Sequence, residues 1–307
     1  MASLSLIEGL NHIFFPGGTR SRSGAIENKL KLGLLNSVID AQRYCMLKEM
    51  PQKIFVIPLT LAYHFVLEGG GLIHQHLRIT GREKYHKGAS RKSTFSSVFR
   101  FLRTLRKTDS EVYLSFGKPM DVLGNYVDKN GNSFDDRGNE IDISKYFATG
   151  DTINIDPQRE SVYTRILAER IVSSFKSENI VLSSHLCAYA AFRILRADNP
   201  ELDLFEVLRI PVKSFQINID RFKQECNVVI EELKSIRDID VKFSEIFSKD
   251  LEAIIKDGIS KIGVYHSKKV LKWVGESLIV SEDFKLLYYY HNKLTHYELD
   301  SEEISQS

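Results

Sequence analysis

Asn11-His12-Ile13-Phe14-Phe15 runs directly into Pro16-Gly17-Gly18-Thr19-Arg20-Ser21-Arg22-Ser23-Gly24, and the reading of this stretch decides the fold. The residues before the proline predict a short buried strand. Proline, glycine and serine then mark a turn. Beyond it, Leu30, Leu34, Val38 and Ala41 recur at helical spacing and predict a helix over about 27–50. Pro51 stops it. Lys53–Tyr63 is rich in β-branched and aromatic residues and predicts a second buried strand. Pro58 lacks a ladder donor, so that strand ends or bulges there. Strand, helix, strand in this order predicts a parallel βαβ unit.

Working outward, Gly69–Gly71 reads as a flexible joint. Within 93–107, Phe95, Val98, Phe99, Leu102 and Leu105 form a helical apolar stripe, with Arg100, Arg103 and Arg106 on another face. Glu111–Phe116 predicts a third strand. Residues 124–140 read as loop or hairpin around Asn130-Gly131 and Gly138-Asn139. Asp128, Asn130, Asp135 and Asp136 there do not follow the EF-hand order, which leaves a solvated turn. From Asp156-Pro157 onward helices are predicted near 158–176, 183–197, 200–209, 215–236, 243–257 and 282–297. Short strands fall within 260–280. No internal repeat is expected, and the boundary between an α/β part and a helical part falls near 150.

The chain has 307 residues, 43% hydrophobic and 27% charged, enough to bury a core and too apolar for a disordered chain. Its net charge of +2 hides a division. Residues 1–107 hold 17 Lys and Arg against 6 Asp and Glu, a net of +11, and the remainder carries −9. Such a split points to an anionic partner for the first part. Cys45, Cys187 and Cys226 make no Cys-x-x-Cys pair, so no zinc site or disulfide framework is expected and a reduced compartment is. No stretch is apolar enough to span a bilayer, so any membrane role is peripheral.

The densest chemical signal is the glycine-arginine turn. Gly18 allows close backbone approach, Thr19 and Ser21 bring hydroxyls, and Arg20 and Arg22 suit bidentate phosphate binding. Lys29 and Lys31 add to the same field. The alternative is a strand-to-helix turn with solvated arginines. Ser184 and His185 are adjacent and cannot face each other as nucleophile and base, so they read as a helix start. His74 and His76 lack further ligands, so no metal site is expected.

Phe14–Gly24 resembles the third conserved block of the glycerolipid acyltransferases, Phe-Pro-Glu-Gly-Thr-Arg-Ser-Arg. Val56-Ile57-Pro58 with Tyr63 and Val66-Leu67-Glu68 is similar to the fourth block of the bacterial glycerol-3-phosphate acyltransferase. Pro157-Gln158-Arg159, Leu167-Ala168-Glu169-Arg170-Ile171, Ser184-His185-Leu186-Cys187-Ala188 and Tyr289-Tyr290-His291-Asn292 are similar to its C-terminal region.

The resemblance implies an α/β fold class, with 1–150 as the C-terminal part of the acyltransferase domain and 151–307 as a helical region. It implies transfer of an acyl group from acyl-CoA or acyl-carrier protein to glycerol 3-phosphate, without cofactor or metal, at the cytoplasmic face of an anionic membrane surface. Gly18, Thr19, Arg20, Ser21 and Arg22 would bind substrate, with Lys29, Lys31 and Pro58 as lesser candidates. Two departures stand out. Gly17 occupies the place of the family's Glu, and none of the nine histidines has Asp five residues later, so the His-x-x-x-x-Asp block is missing. The chain thus resembles the C-terminal part of such an enzyme, and no catalytic residue is assigned. The alternatives are acylation of lysophosphatidate or dihydroxyacetone phosphate, or a non-catalytic module that binds lipid headgroups. No nucleic-acid signature accompanies the basic residues.

Overall fold

A computed structural model describes residues 2–18, 20–80, 111–150 and 152–299. The helix expected over 93–107 therefore lies outside the described residues, as does most of the basic segment 78–107. The fold is mixed α/β, with 47% helix and 13% strand in several small sheets. The longer helices are α1 (Ala2–Ile7), α2 (Leu32–Leu47), α3 (Gly69–Ile79), α4 (Pro157–Glu178), α5 (Ser183–Ala197), α6 (Ile219–Ser235), α7 (Leu251–Lys261) and α8 (Phe284–His291). Strands β1 (Leu59–Tyr63) and β2 (Val112–Phe116) pair with each other.

Two compact units are built from separated stretches. The first comprises Met1–Arg20, Glu27–Thr60 and Ser115–Glu178; the second comprises Ser21–Ile26, Leu61–Leu114 and Asn179–Ser307. Residue 150 falls inside the first.

The first unit corrects the opening expectation. Residues 11–15 form no strand, and Ile13 and Phe15 are 85% and 75% exposed. Only Phe14 of the run packs inward, against the core cluster that contains Leu35, Met120 and Leu167. A strand needs a neighbour for its backbone groups, and among the described residues none pairs with this run. The parallel βαβ unit is therefore not formed. The helix starts late, at Leu32, because Lys31 stays extended while its N–H donates to Pro16 O at 2.6 Å. The ladder expected over Lys53–Tyr63 is broken before Pro58, into a lone bridge at Val56 and then β1. Helix α4 starts where the sequence signals it. Asp156 accepts from Arg159 N at 3.0 Å, and Pro157 fills the first helical position. Between α2 and α4 lies a buried ion pair, Arg43 Nε to Glu160 Oε1 at 2.7 Å.

An internal repeat is present, contrary to expectation. Asp-x-x-Gly-Asn recurs every seven residues at Asp121, Asp128 and Asp135. In each copy the Asp Oδ1 accepts the N–H two and four residues on, at 2.8–3.0 Å. In each, the Asp N–H donates to the Asn carbonyl at 2.9–3.0 Å. Gly124, Gly131 and Gly138 take positive φ at the same place in every turn. The second and third turns link the antiparallel strands Tyr126–Val127, Ser133–Phe134 and Glu140–Ile141, and the first joins Met120 to Tyr126 across a lone bridge. Their carboxylates are thus committed to backbone.

The second unit is organised around α5, buried on nearly all sides as a central helix should be. Helices α6, α7 and α8 pack against it. Gly69–Gly71 opens α3 rather than forming a joint. Gly258 of α7 sits where α5 comes close: a Cβ there would lie 2.5 Å from Ser183 O and 2.6 Å from Cys187 Sγ. Gly258→Ala is expected to lower stability by about 1–3 kcal/mol through overpacking. A urea midpoint unchanged from wild type would show that the helices have room to part.

Candidate functional site

In the first unit, Phe15–Gly18 closes a turn in which Gly18 N–H donates to Phe15 O at 2.9 Å. Glu27 occupies the space a side chain at Gly17 would take: a Cβ there would lie 2.9 Å from Glu27 Oε2. A carboxylate therefore does stand at the turn, carried by Glu27. The stem of Lys31 packs over Gly18. Arg20 and Lys29 are exposed, and Thr19 lies outside the described residues. Pro58 is buried and its carbonyl accepts from Gly117 N at 2.8 Å, a backbone role.

Ser21 and Arg22 belong to the second unit, so the structure does not gather the five expected residues into one unit. Ser21 Oγ donates to Ala25 O at 2.7 Å, which commits that hydroxyl to its own loop. Asn292 Nδ2 donates to Ser23 O at 2.9 Å. Gly24 lies against the carbonyl of Tyr289, with φ +92°. Arg22 is half-buried, and among the described residues nothing hydrogen-bonds or ion-pairs with its guanidinium.

Lys293 directly follows Asn292. Its Nζ lies 5.4 Å from the Tyr63 ring centre and 5.6 Å from that of Tyr289, within cation–π range. Burial pushes its amine down to about 8. Among the described residues no carboxylate pairs with it. Arg22 and Lys293 are thus the chain neighbours of the two hydrogen-bonded residues, Ser23 and Asn292, and among the described residues neither makes an ion pair. Arginine and lysine are both residue types that bind phosphate.

Three segments that carry the resemblance, those holding Ser23, Val66 and Tyr289–Asn292, meet at the end of α8 within this unit. Beside Ser23–Asn292, Tyr290 OH accepts from Val66 N at 2.9 Å. Tyr63 underlies Lys293. Tyr189 of α5 stacks on His291 with ring centres 4.6 Å apart.

A second polar cluster lies deeper in the same unit. His64 Nδ1 meets Ser184 Oγ at 2.9 Å. Its Nε2 lies 3.7 Å from Glu111 Oε2 and has no hydrogen-bond partner among the described residues. Lys261 Nζ bridges Glu111 at 2.9 Å and Asp257 at 2.8 Å, and Ser183 donates to Asp257 at 2.6 Å. Burial, with Lys261 nearby, lowers the His64 imidazole to about 4. Ser184 is fully buried, so this serine–histidine contact offers no accessible nucleophile. The helix start expected at Ser184-His185 is observed. The partner of Ser184 is His64, 120 residues away, which no local pattern signals.

Lys293 was missed by sequence reasoning. The available signal was its place beside Tyr289–Asn292. Among the described residues no group of three or more His, Cys, Asp or Glu could hold a metal ion, and no described helix is long and apolar enough to cross a membrane. No protein-family model matches the chain, and no curated protein matches it.

Proposed function

We propose that this chain binds glycerol 3-phosphate as the acceptor half of a glycerolipid acyl-transfer site. The observation that carries the reading is the Ser23–Asn292 hydrogen bond, which ties the arginine turn to the segment holding Lys293. Arg22 supplies a planar fork for the phosphate and Lys293 a point charge. Fixing the phosphate orients the acceptor and removes an entropic part of the barrier. In the transfer, an acceptor hydroxyl oxygen attacks the thioester carbonyl of acyl-CoA or acyl-carrier protein. Its proton passes to a general base, the carbon–sulfur bond breaks, and the donor leaves as a thiol. These 307 residues contain no His-x-x-x-x-Asp pattern to supply that base, and His64 is buried against Ser184. This chain's own share is therefore to hold the acceptor, beside an anionic membrane surface that delivers and receives the lipids. The missing base equally favours a second reading, a headgroup-binding module that never transfers.

Calorimetric titration of the chain with glycerol 3-phosphate, against glycerol as control, tests the reading. The phosphate ester is expected to bind and glycerol is not. A charge-assisted bidentate contact contributes about 1.5–3 kcal/mol, so Arg22→Ala should weaken binding roughly ten- to a hundred-fold. Arg22→Lys should recover part of it. Binding should also fall as pH rises through about 8, where Lys293 loses its proton, and Lys293→Arg should remove that fall. No binding, or equal binding of glycerol, overturns the reading. Palmitoyl transfer from palmitoyl-CoA by this chain alone would overturn the assignment of the base elsewhere.

A further inference from the structure

An open groove of about 430 Å³ runs along one face of α4 in the first unit. Arg165, Ala168, Val172 and Lys176 line it at successive turns of the helix, and Lys29 and Leu32 belong to the opposite wall. Three cations thus surround an apolar middle. Glu169 is the one carboxylate on the lining. Among the described residues Lys29, Arg165 and Lys176 make no ion pair. Eleven residues of helix separate Arg165 from Lys176, about 16 Å along the axis, so the groove is long rather than round. Long cationic side chains beside exposed apolar groups cover both needs of a ligand with a charged head and a hydrocarbon tail.

We infer that this groove binds a single-chain anionic amphiphile, with its alkyl chain on Leu32 and Val172 over the buried Ala168 and its head against Arg165 or Lys176. The occupant follows from charge complementarity. A neutral chain would leave the lining's net charge of +2, three cations against Glu169, uncompensated, and a small anion would leave the apolar middle wet. Both carboxylate and phosphate heads satisfy this chemistry. The inference does not rest on acyl transfer, because the groove belongs to the first unit and Arg22 and Lys293 to the second.

The test is titration of the whole chain with dodecanoate, dodecyl phosphate, dodecyl maltoside and inorganic phosphate, all below their micellar range. Either anionic amphiphile should bind at least ten-fold more tightly than the neutral one and than phosphate alone, and added salt should weaken it. The tighter of the two anionic probes identifies the head. Arg165→Glu and Lys176→Glu should each weaken anionic binding about ten-fold, and Val172→Asp should abolish it. Arg137→Glu, an equal charge change in an exposed turn, should leave it unchanged. Arg165 is exposed and Val172 and Lys176 are partly so, and far-ultraviolet dichroism checks that each variant folds. Equal binding of dodecyl maltoside, equal binding of inorganic phosphate, or indifference to both α4 charge reversals would overturn the proposal.

Discussion

Gly24→Ala is expected to destabilise the second unit by more than about 3 kcal/mol and to abolish binding at Arg22. Two costs combine. Gly24 has φ +92°, where an L side chain costs about 1–2 kcal/mol. A Cβ there would also stand 2.0 Å from the carbonyl oxygen of Tyr289 and 3.0 Å from its carbonyl carbon. Neither atom is the end of a flexible side chain, so the loop must lift from α8. Lifting breaks the Asn292–Ser23 hydrogen bond, worth about 1 kcal/mol, and displaces Arg22, which precedes Ser23 in the loop. Gly9 provides the control: its φ is +77° but a Cβ there meets nothing within 4 Å. Gly9→Ala should show only the conformational cost. Urea unfolding of the two variants separates strain from collision. If Gly24→Ala matches Gly9→Ala, the close approach to Tyr289 contributes nothing in solution.

The second large effect is acid destabilisation through His64. Its imidazole is lowered to about 4 in the folded chain, against an ordinary 6.5 when unfolded. Burial is the main cause, and Lys261 adds to it. Asp257 and Glu111 pull the other way but are themselves bridged by Lys261. Between these two values the unfolded chain binds the extra proton and the folded chain does not. The stability that neutral His64 confers is complete above about pH 6.5 and is lost as pH falls through about 4. The full loss is about 3 kcal/mol. Urea midpoints measured from pH 8 to pH 4 should therefore decline steadily below 6.5. His185, also buried and lowered well below its ordinary value, adds to the same decline. The difference between wild type and His64→Gln isolates the first residue. Parallel profiles would mean that His64 is solvated or already protonated in the folded state.

Local chemistry was sufficient for much of the second half of the chain. Asp156-Pro157 announces α4 because an Asp cap and a proline at the first turn satisfy helix-start donors without any distant partner. Helix α5 was delimited at Ser183–Ala197 by its own apolar sequence. The Asp-x-x-Gly-Asn turns are equally local, since each Asp bonds N–H groups within four residues of itself. Their seven-residue repeat was therefore legible, although the sequence reading found only two turn pairs in it.

Strands and sites were a different matter, because their partners lie far along the chain. Asn11–Phe15 has strand-like residues, yet a strand exists only where another backbone completes its ladder, and propensity cannot supply one. The glycine-arginine turn was readable as a phosphate-binding composition, but composition did not show that Ser21 spends its hydroxyl on Ala25 or that Glu27 fills the space at Gly17. The pairing of Ser23 with Asn292 spans 269 residues, and that of His64 with Ser184 spans 120. Arg22 and Lys293 thus become neighbours of one hydrogen bond only when the second unit closes. The sequence determined which groups could grip an anion; tertiary packing decided which of the segments carrying them are bonded together, since burial and distance are properties of the folded chain alone.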